Sequence, residues 1–221
     1  MSQSVLSDIS IVVVNFQTPD LLDVAVRSIK QHYPDVPLVI VDNGSRDESK
    51  TTIEQLLHDF DGGVRALWLN SNVGHGPAMH AALLESKSEW LFFLDSDTKT
   101  LRGGFLEEML ERGSVDNSVF GVGEIAPINK RGYLYDAGVP ALVAAFMLIN
   151  RHRYLAGKPF ENHGAPGVRM FWDANARGLR LVDYPIQDYI DHLCRGTVRR
   201  FGYASLGIAA KVNDLLQKIG L

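Results

Sequence analysis

The chain has 221 residues, of which 46% are hydrophobic and 22% charged, and its formal net charge is −4. This composition is typical of a globular protein with one substantial core, and the small negative charge excludes the broad attraction to nucleic acid that basic proteins show. A single cysteine, Cys194, excludes an internal disulfide framework and favours a reducing compartment. The first eight residues do not resemble a signal peptide, and no apolar run has the length of a bilayer span. We therefore expect a cytoplasmic protein, with a peripheral contact at the inner face of the membrane left open.

The first hundred residues alternate predicted strands and helices. Apolar, largely β-branched runs predict strands over 9–14, 36–41, 64–69 and 90–94. Thr18 and Pro19 form an N-cap and first-turn pair for the first helix, the capping-box pattern of 45–48 predicts the start of a second, and 74–87 predicts a third. This alternation indicates an α/β fold, with a mostly parallel sheet flanked by helices.

After residue 100 the pattern becomes mixed. Helices are expected over 101–112, 166–177 and 202–221, and strand-like pieces over 119–128, 133–149 and 179–184. The segment Asn129 to Gly132 predicts a hairpin turn. Since no linker, repeat or low-complexity tract interrupts the chain, we expect one domain over 1–221. It would have two halves, 1–100 and 101–221, of which the second contains mixed elements.

Two carboxylates follow the most apolar predicted strand. Residues Trp90 to Leu94 are all apolar, and Asp95 and Asp97 come directly after them. Ligands bind at the carboxyl ends of the strands in open α/β sheets. Carboxylate oxygens there suit Mg²⁺ or Mn²⁺ carrying a phosphorylated substrate. An ordinary polar turn is the alternative interpretation of the same residues.

Other predicted strands also end in polar residues that would meet at the same edge. The first strand ends at Asn15 and the second at Asp42, which would accept hydrogen bonds from a base or ribose, or else is a turn residue before a helix. The segment 72–77 resembles a phosphate-cradling loop at a helix start. Its glycine spacing is neither that of the dinucleotide fingerprint nor that of the P-loop.

Taken together, these segments resemble the GT-A glycosyltransferases of family 2. The matching segments, in the order the family shows, are Val12–Asn15, Val41–Ser45, Asn72–Gly74 and Leu94–Asp97. The resemblance implies a nucleotide-sugar donor, with Asp42 near the base, Asp95 near the ribose and Asp97 on the metal that bridges the diphosphate. The implied donor-binding residues are Val14, Asn15, Asp42, Asn72, Gly74, Asp95, Ser96 and Arg195.

The second half also resembles the family. Residues 145–150 and 157–161 look like the segments that line the acceptor side, and 192–197 is similar to a late motif whose histidine completes the metal site. The resemblance therefore implies Asp95, Asp97 and His192 as ligands of Mn²⁺ or Mg²⁺, with Arg195 facing the diphosphate. Cys194 lies within this motif, but it has no base partner in the sequence that would make it a nucleophile.

One family feature is missing, and it concerns the general base. Inverting members carry a Glu-Asp pair at the start of the helix before the late histidine, but 165–167 contain no acid here. Residue type favours Asp173, about two turns into the predicted helix. Position favours His163, which titrates near neutrality. Glu161 is a third choice.

The sequence thus predicts a metal-dependent glycosyltransferase. It would move a sugar, with inversion, from a UDP- or dTDP-linked donor to a hydroxyl of a saccharide, lipid-linked or protein acceptor, without nucleic acid. A nucleotidyltransferase that makes nucleotide sugars is one alternative, although the place of its basic glycine-rich loop holds 15–19 here. A non-catalytic nucleotide-sugar-binding protein that lacks its base is another. The terminal helix 202–221 would pack on the domain, pair two chains as a homodimer or contact a membrane.

Overall fold

A computed structural model describes residues 5–161 and 165–193. The strands are β1 Ile9–Asn15, β2 Leu38–Asp42, β3 Val64–Trp68, β4 Trp90–Asp95, β5 Thr98–Thr100, β6 Val119–Ile128, β7 Val139–Asn150, β8 Arg180–Asp183 and β9 Ile190–His192. The α-helices are α1 Pro19–His32, α2 Ser49–Asp59, α3 His75–Glu85, α4 Phe105–Gly113, α5 Arg151–Leu155 and α6 Val168–Ala176. Short 3₁₀ helices cover Val5–Asp8 and Ile186–Asp188.

Seven strands form one mostly parallel sheet, in the order β3-β2-β1-β4-β7-β6-β8. The pairs within β3-β2-β1-β4 are parallel, β7 is antiparallel to both of its neighbours, and β8 is parallel to β6. Strands β5 and β9 form a separate antiparallel pair. The predicted α/β class with a mostly parallel sheet is confirmed.

The continuous apolar runs follow from burial on both faces of the sheet. In β1, Ile9, Ile11 and Val13 enter one core cluster, whereas Val12 and Val14 enter the other. Successive side chains of a strand point to opposite faces, so a strand covered on both sides has no exposed position to fill with a polar residue. For this reason the predicted boundaries of β1, β2 and β4 agree closely with the structure.

Of two predicted helix starts, the one at Thr18 and Pro19 is confirmed and the one at 45–48 is wrong. The capping-box prediction at 45–48 fails because α2 begins at Ser49, while the Ser45 hydroxyl accepts from Gln17 N at 3.0 Å. Thr18 does occupy the N-cap position of α1, yet its hydroxyl makes no cap bond and donates to Asn15 Oδ1 at 3.0 Å. Neither hydroxyl therefore caps its own helix.

The second half differs further from the predicted elements. The helix predicted from residue 101 begins at Phe105, because Thr98–Thr100 pair with β9 and the next residues connect this strand to α4. Residues 133–138 are not part of β7, although the predicted turn is present, with Gly132 N donating to Asn129 O at 3.0 Å. The predicted helix 202–221 lies outside the described residues. Within 5–161 and 165–193, no helix is long and apolar enough to cross a membrane.

Candidate functional site

Three potential metal ligands meet at the carboxyl end of β4. One ligand atom each from Asp95, Asp97 and His192 lies within 4.8 Å of the others. His192 Nε2 is 3.3 Å from Asp97 Oδ1. The structure therefore brings together the three residues predicted as ligands.

The short β5–β9 sheet creates this proximity. Asp95 ends β4, the chain turns through Ser96 and Asp97, and β5 then pairs with β9 so that Thr98 is opposite His192. Two further bonds hold the turn: Thr98 Oγ1 donates to Asp95 O at 2.8 Å, and Leu193 N donates to Asp97 O at 2.8 Å. Strands β5 and β9 have only three residues each, so their own pairing is short. The two additional bonds therefore help to hold β9, and with it the His192 imidazole, in position.

The electrostatics of the cluster favour replacement of protons by a cation. Burial raises the pKa of the Asp95 carboxyl, and Asp97 adds repulsion in the same direction, against the opposing effects of His75 and His192. The hydrogen bond to Asp97 raises the pKa of His192, against the effect of burial. Two carboxylates and an imidazole form a donor set that fits Mn²⁺, and binding of a divalent cation displaces such protons.

A second histidine, His75, also reaches the cluster. It is the first residue of α3, and its Nε2 lies 3.5 Å from Asp95 Oδ1. The sequence predicts a phosphate-cradling loop over 72–77 but does not indicate a role for His75 itself. The sequence feature that could have indicated a role for His75 is its position at the start of a predicted helix, because that helix precedes a strand that ends in a carboxylate.

A buried hydrogen-bond network joins the ends of β1 and β2. Asn15 Nδ2 donates to Asp42 Oδ1 at 3.0 Å and to Ser45 Oγ at 3.2 Å. Ser45 N donates to Asp42 Oδ2 at 3.0 Å, so both carboxylate oxygens already accept a bond. On the other side, the Thr18 hydroxyl lies 3.1 Å from Ser96 Oγ. Asp42 is thus the last residue of β2, its carboxylate holds the turn that follows, and each oxygen retains accepting capacity for a ligand.

In the loop 72–77, which is predicted to cradle phosphate, two backbone amides donate to asparagine side chains of the protein. Val73 N donates to Asn43 Oδ1 at 2.9 Å, and Gly74 N donates to Asn72 Oδ1 at 3.0 Å. Asn43 Nδ2 in turn donates to Asn72 Oδ1 at 3.0 Å. The two amides following Asn72 therefore hold the loop itself, and the phosphate-cradling role of 72–77 stays a prediction.

The candidate bases occupy different places. Asp173 Oδ2 accepts from Arg177 Nη1 at 3.3 Å, and Arg177 also donates to Arg153 O in α5 at 3.1 Å. Helix α5 follows the end of β7 that pairs with Trp90, at the start of β4. The structure thus places Asp173 toward the sheet edge opposite the carboxylate cluster and does not bring the two together.

Glu161 approaches the cluster through the start of α3. A Cβ added to Gly76 would lie 2.6 Å from Glu161 O, so the two backbones are in direct contact one residue after His75. The Glu161 carboxylate pairs with the exposed Arg169 at 3.1 Å. His163, Cys194 and Arg195, which also figured in the sequence predictions, lie outside the described residues.

Comparison with known proteins identifies related sequences. The model of glycosyl transferase family 2 matches residues 10–172. The teichoic acid poly(glycerol phosphate) polymerase of Staphylococcus epidermidis is 32% identical over 42% of this chain and 13% of that protein. The GalNAc(5)-diNAcBac-PP-undecaprenol beta-1,3-glucosyltransferase of Campylobacter jejuni is 29% identical over 51% and 37%. The chain thus covers less than two thirds of either relative.

Solved structures share the fold at low sequence identity. A mannosyltransferase from Pyrobaculum calidifontis, solved with GDP-Man and Mn²⁺, has a TM-score of 0.65 at 15% identity over 80% of this chain and 55% of its own. GalNAc-T7, solved with UDP, GalNAc and Mn²⁺, has a TM-score of 0.66 at 14% identity over 80% and 42%. These neighbours are GT-A glycosyltransferases, so the predicted GT-A fold is confirmed.

Proposed function

The chain belongs to glycosyl transferase family 2, and we propose that it transfers a sugar from a nucleoside-diphosphate sugar to an acceptor hydroxyl, with inversion. The observation that carries this proposal is the meeting of Asp95, Asp97 and His192 at the carboxyl end of β4. That edge of an open α/β sheet is where ligands bind, and the cluster provides the oxygen and nitrogen donors that a divalent cation needs.

Mn²⁺ is the proposed cation. A nitrogen donor in the set favours Mn²⁺ over Mg²⁺, which selects oxygen ligands in near-ideal octahedral geometry. When bound, the ion supplies neutralisation of the negative charge on the diphosphate leaving group. The two comparison structures solved with nucleotides also contain Mn²⁺.

The donor nucleotide is proposed to lie along the ends of β1, β2 and β4. Asp42 would accept from the base with its remaining lone pairs, and Asp95 would lie near the ribose. The Asn15 amide fixes the Asp42 carboxylate at 3.0 Å, so this acceptor is oriented before a ligand arrives. UDP- or dTDP-linked sugars are the proposed donors. A lipid-linked saccharide is the proposed acceptor, because the Campylobacter jejuni relative is named for a diphosphate-undecaprenol acceptor.

The acceptor hydroxyl would attack the anomeric carbon from the face opposite the diphosphate. A base removes its proton, the new glycosidic bond forms, and the bond to the diphosphate breaks. Of the described carboxylates considered for this role, we favour Glu161, since its backbone contacts Gly76 beside His75, whereas Asp173 is paired with Arg177 near α5. His163 remains a candidate by position in the sequence.

Calorimetry of the full chain tests the assignment. We expect UDP or dTDP to bind only weakly without Mn²⁺ and at least tenfold more tightly with it, while Asp97→Asn removes this enhancement. Asp61→Asn, at an exposed position, is the matched control and should behave like the wild type. Nucleotide binding that is identical with and without Mn²⁺ would contradict the proposal. Mn²⁺-dependent binding without sugar transfer to any lipid-linked acceptor would favour the non-catalytic alternative.

A further inference from the structure

We propose that a recess on the β6–β7 connection binds an acidic saccharide, which forms the distal part of the acceptor; this acceptor role rests on the proposed function. The recess has a volume of about 360 Å³, and its lining includes Asn129, Lys130, Arg131, Tyr133, Tyr135 and Trp172. Sites for small ligands typically range from ~300 to 1,000 Å³. None of these residues belongs to the carboxylate cluster.

The recess is built from hydrogen-bonded turns. Asn129 Oδ1 accepts from Arg131 N at 2.8 Å and from Tyr133 N at 3.2 Å. Tyr135 N donates to Pro127 O at 3.0 Å, and Gly138 N donates to Tyr135 O at 2.7 Å. A ligand would therefore meet a preorganised surface, which lowers the entropy lost on binding.

The chemistry of the lining indicates a sugar with a negative charge. Aromatic rings present an electron-rich face to the C–H groups of a sugar ring. Lys130 Nζ lies 5.4 Å from the centre of the Trp172 ring, and Arg131 is exposed beside it. Among the described residues, no carboxylate lines the recess, although the neighbouring Asp136 is exposed. A phosphate or carboxylate on the sugar would meet both cations.

Trp172 contributes its ring to the recess. Its Nε1 is buried and has no hydrogen-bond partner among the residues that the structure describes. Buried indole N–H groups usually find an acceptor. Because the Nε1 atom is buried, the recess presents the ring of Trp172 to a ligand and not this N–H group.

The position of the recess suits an acceptor rather than a donor. Leu94, at the carboxyl end of β4, pairs with Phe146, while β7 begins seven residues earlier at Val139. Residues 139–145 therefore lie past the edge that carries Asp95 and Asp97, and a register shift between Gly123 and Ile125 bends the hairpin there. A ligand reaching from the recess to the cluster would be an extended chain of sugars.

Calorimetry on the full chain with defined oligosaccharides tests the inference. The acidic probes are maltotetraose 1-phosphate and tetragalacturonate, and maltotetraose is the neutral match. We expect both acidic probes to bind at least tenfold more tightly than maltotetraose. Lys130→Ala/Arg131→Ala should remove that preference, and Tyr135→Ala, at an exposed side chain, should weaken all three probes several-fold. The matched control, Lys50→Ala/Arg65→Ala, changes two exposed cations elsewhere and should leave binding unchanged.

Several results would overturn the inference. The first is that the wild type binds neither acidic probe, and the second is that it binds neutral and acidic probes with equal affinity. The third is that the control Lys50→Ala/Arg65→Ala loses as much affinity for the acidic probes as Lys130→Ala/Arg131→Ala does. Binding of phosphatidylglycerol vesicles through Lys130 and Arg131, without binding of either oligosaccharide, would assign the surface to a lipid and also overturn it. Mn²⁺-dependent UDP binding, measured on the same variants, separates the two proposals. If the acidic probes do not bind but Mn²⁺-dependent UDP binding is intact, only the recess proposal is contradicted. If the acidic probes bind but UDP does not, only the proposed function is contradicted.

Discussion

His192 and Asp97 are 95 positions apart in the chain, yet His192 Nε2 lies 3.3 Å from Asp97 Oδ1. The pairing of β5 with β9 brings them together, and the Phe146 ring contacts the imidazole edge-to-face at a centroid distance of 5.9 Å. The proposed metal site therefore depends on a small sheet that contains none of the strands of the main sheet.

Loss of the imidazole should weaken the cation site while leaving the fold intact. We expect His192→Ala to lower Mn²⁺ affinity by about 100-fold, at the upper end of the losses seen when a metal site is perturbed. The measurement is calorimetric titration with MnCl₂. His58→Ala, at an exposed side chain on α2, provides the control. Equal Mn²⁺ affinity in the wild type and His192→Ala would remove His192 from the ligand set.

Residues that hold β9 should affect the cation site from a distance. Arg102 lies 4.3 Å from the centre of the Tyr189 ring, directly before β9, and donates to Asp188 O at 3.0 Å. We expect Arg102→Ala to cost about 0.5–1 kcal/mol of stability, because the contact is exposed, and to lower Mn²⁺ affinity several-fold.

Arg112→Ala is the matched control for that variant. Arg112 makes the same kind of contact with Tyr184 at 4.8 Å and donates to Asp183 O, but it is farther from β9 in the chain. We expect Arg112→Ala to lose a similar amount of stability, measured by chemical denaturation, and to keep its Mn²⁺ affinity, measured by calorimetry. If both variants lose affinity equally, the effect is general destabilisation.

The two described base candidates can be separated kinetically. We expect Glu161→Gln to lower kcat by about 10² to 10⁴-fold, the usual contribution of general-base catalysis. Asp173→Asn should keep kcat within a few-fold, with a stability loss from its contacts to Arg177 and Lys158 N. Sugar transfer is measured at saturating donor. The opposite pattern would assign the base to Asp173.

The contact between Gly76 and Glu161 should not tolerate a methyl group. In Gly76→Ala the new Cβ would lie 2.6 Å from Glu161 O, so one backbone segment must move. Overpacking of this kind costs about 1–3 kcal/mol. In Gly63→Ala, the control, the methyl would meet the end of the Lys30 side chain at 3.2 Å and Phe60 O at 3.4 Å, both longer than the 2.6 Å approach at Gly76. Urea denaturation of both variants should show the larger loss for Gly76→Ala.

His80 should make stability depend on pH. Burial lowers the pKa of His80 below its ordinary 6.5, and its Nδ1 lies 2.9 Å from the Tyr154 hydroxyl, which accepts from Phe160 N. Below pH 6.5 the unfolded chain therefore binds a proton that the folded protein excludes. The stabilisation is complete above that pH and declines as pH falls toward the lower pKa of the folded state.

The measurement compares the free energy of unfolding of the wild type and His80→Gln at pH 7.5 and 5.0. We expect the wild type to lose more stability on acidification than the variant does, because glutamine does not titrate. Equal losses in both proteins would show that His80 carries no pH-dependent term.

Local pattern was sufficient to predict β1, β2 and β4 and the carboxylates that follow β4. These strands are buried on both faces, so their composition is nearly continuous in apolar residues, and the first polar residue indicates where each one ends. The family resemblance added His192, which no pattern in its own neighbourhood singles out.

Only the tertiary structure decided how these parts meet. The hydroxyls of Thr18 and Ser45 resemble helix caps in sequence, but Thr18 Oγ1 lies 3.1 Å from Ser96 Oγ and Ser45 Oγ accepts from Gln17 N, both partners being distant in the chain. The proximity of His75 to Asp95, the contact of Gly76 with Glu161 and the insertion of β7 between β4 and β6 all depend on residues distant in the chain. A local pattern reports which residues are buried or end an element, whereas a site requires the distances between elements, and packing sets those distances.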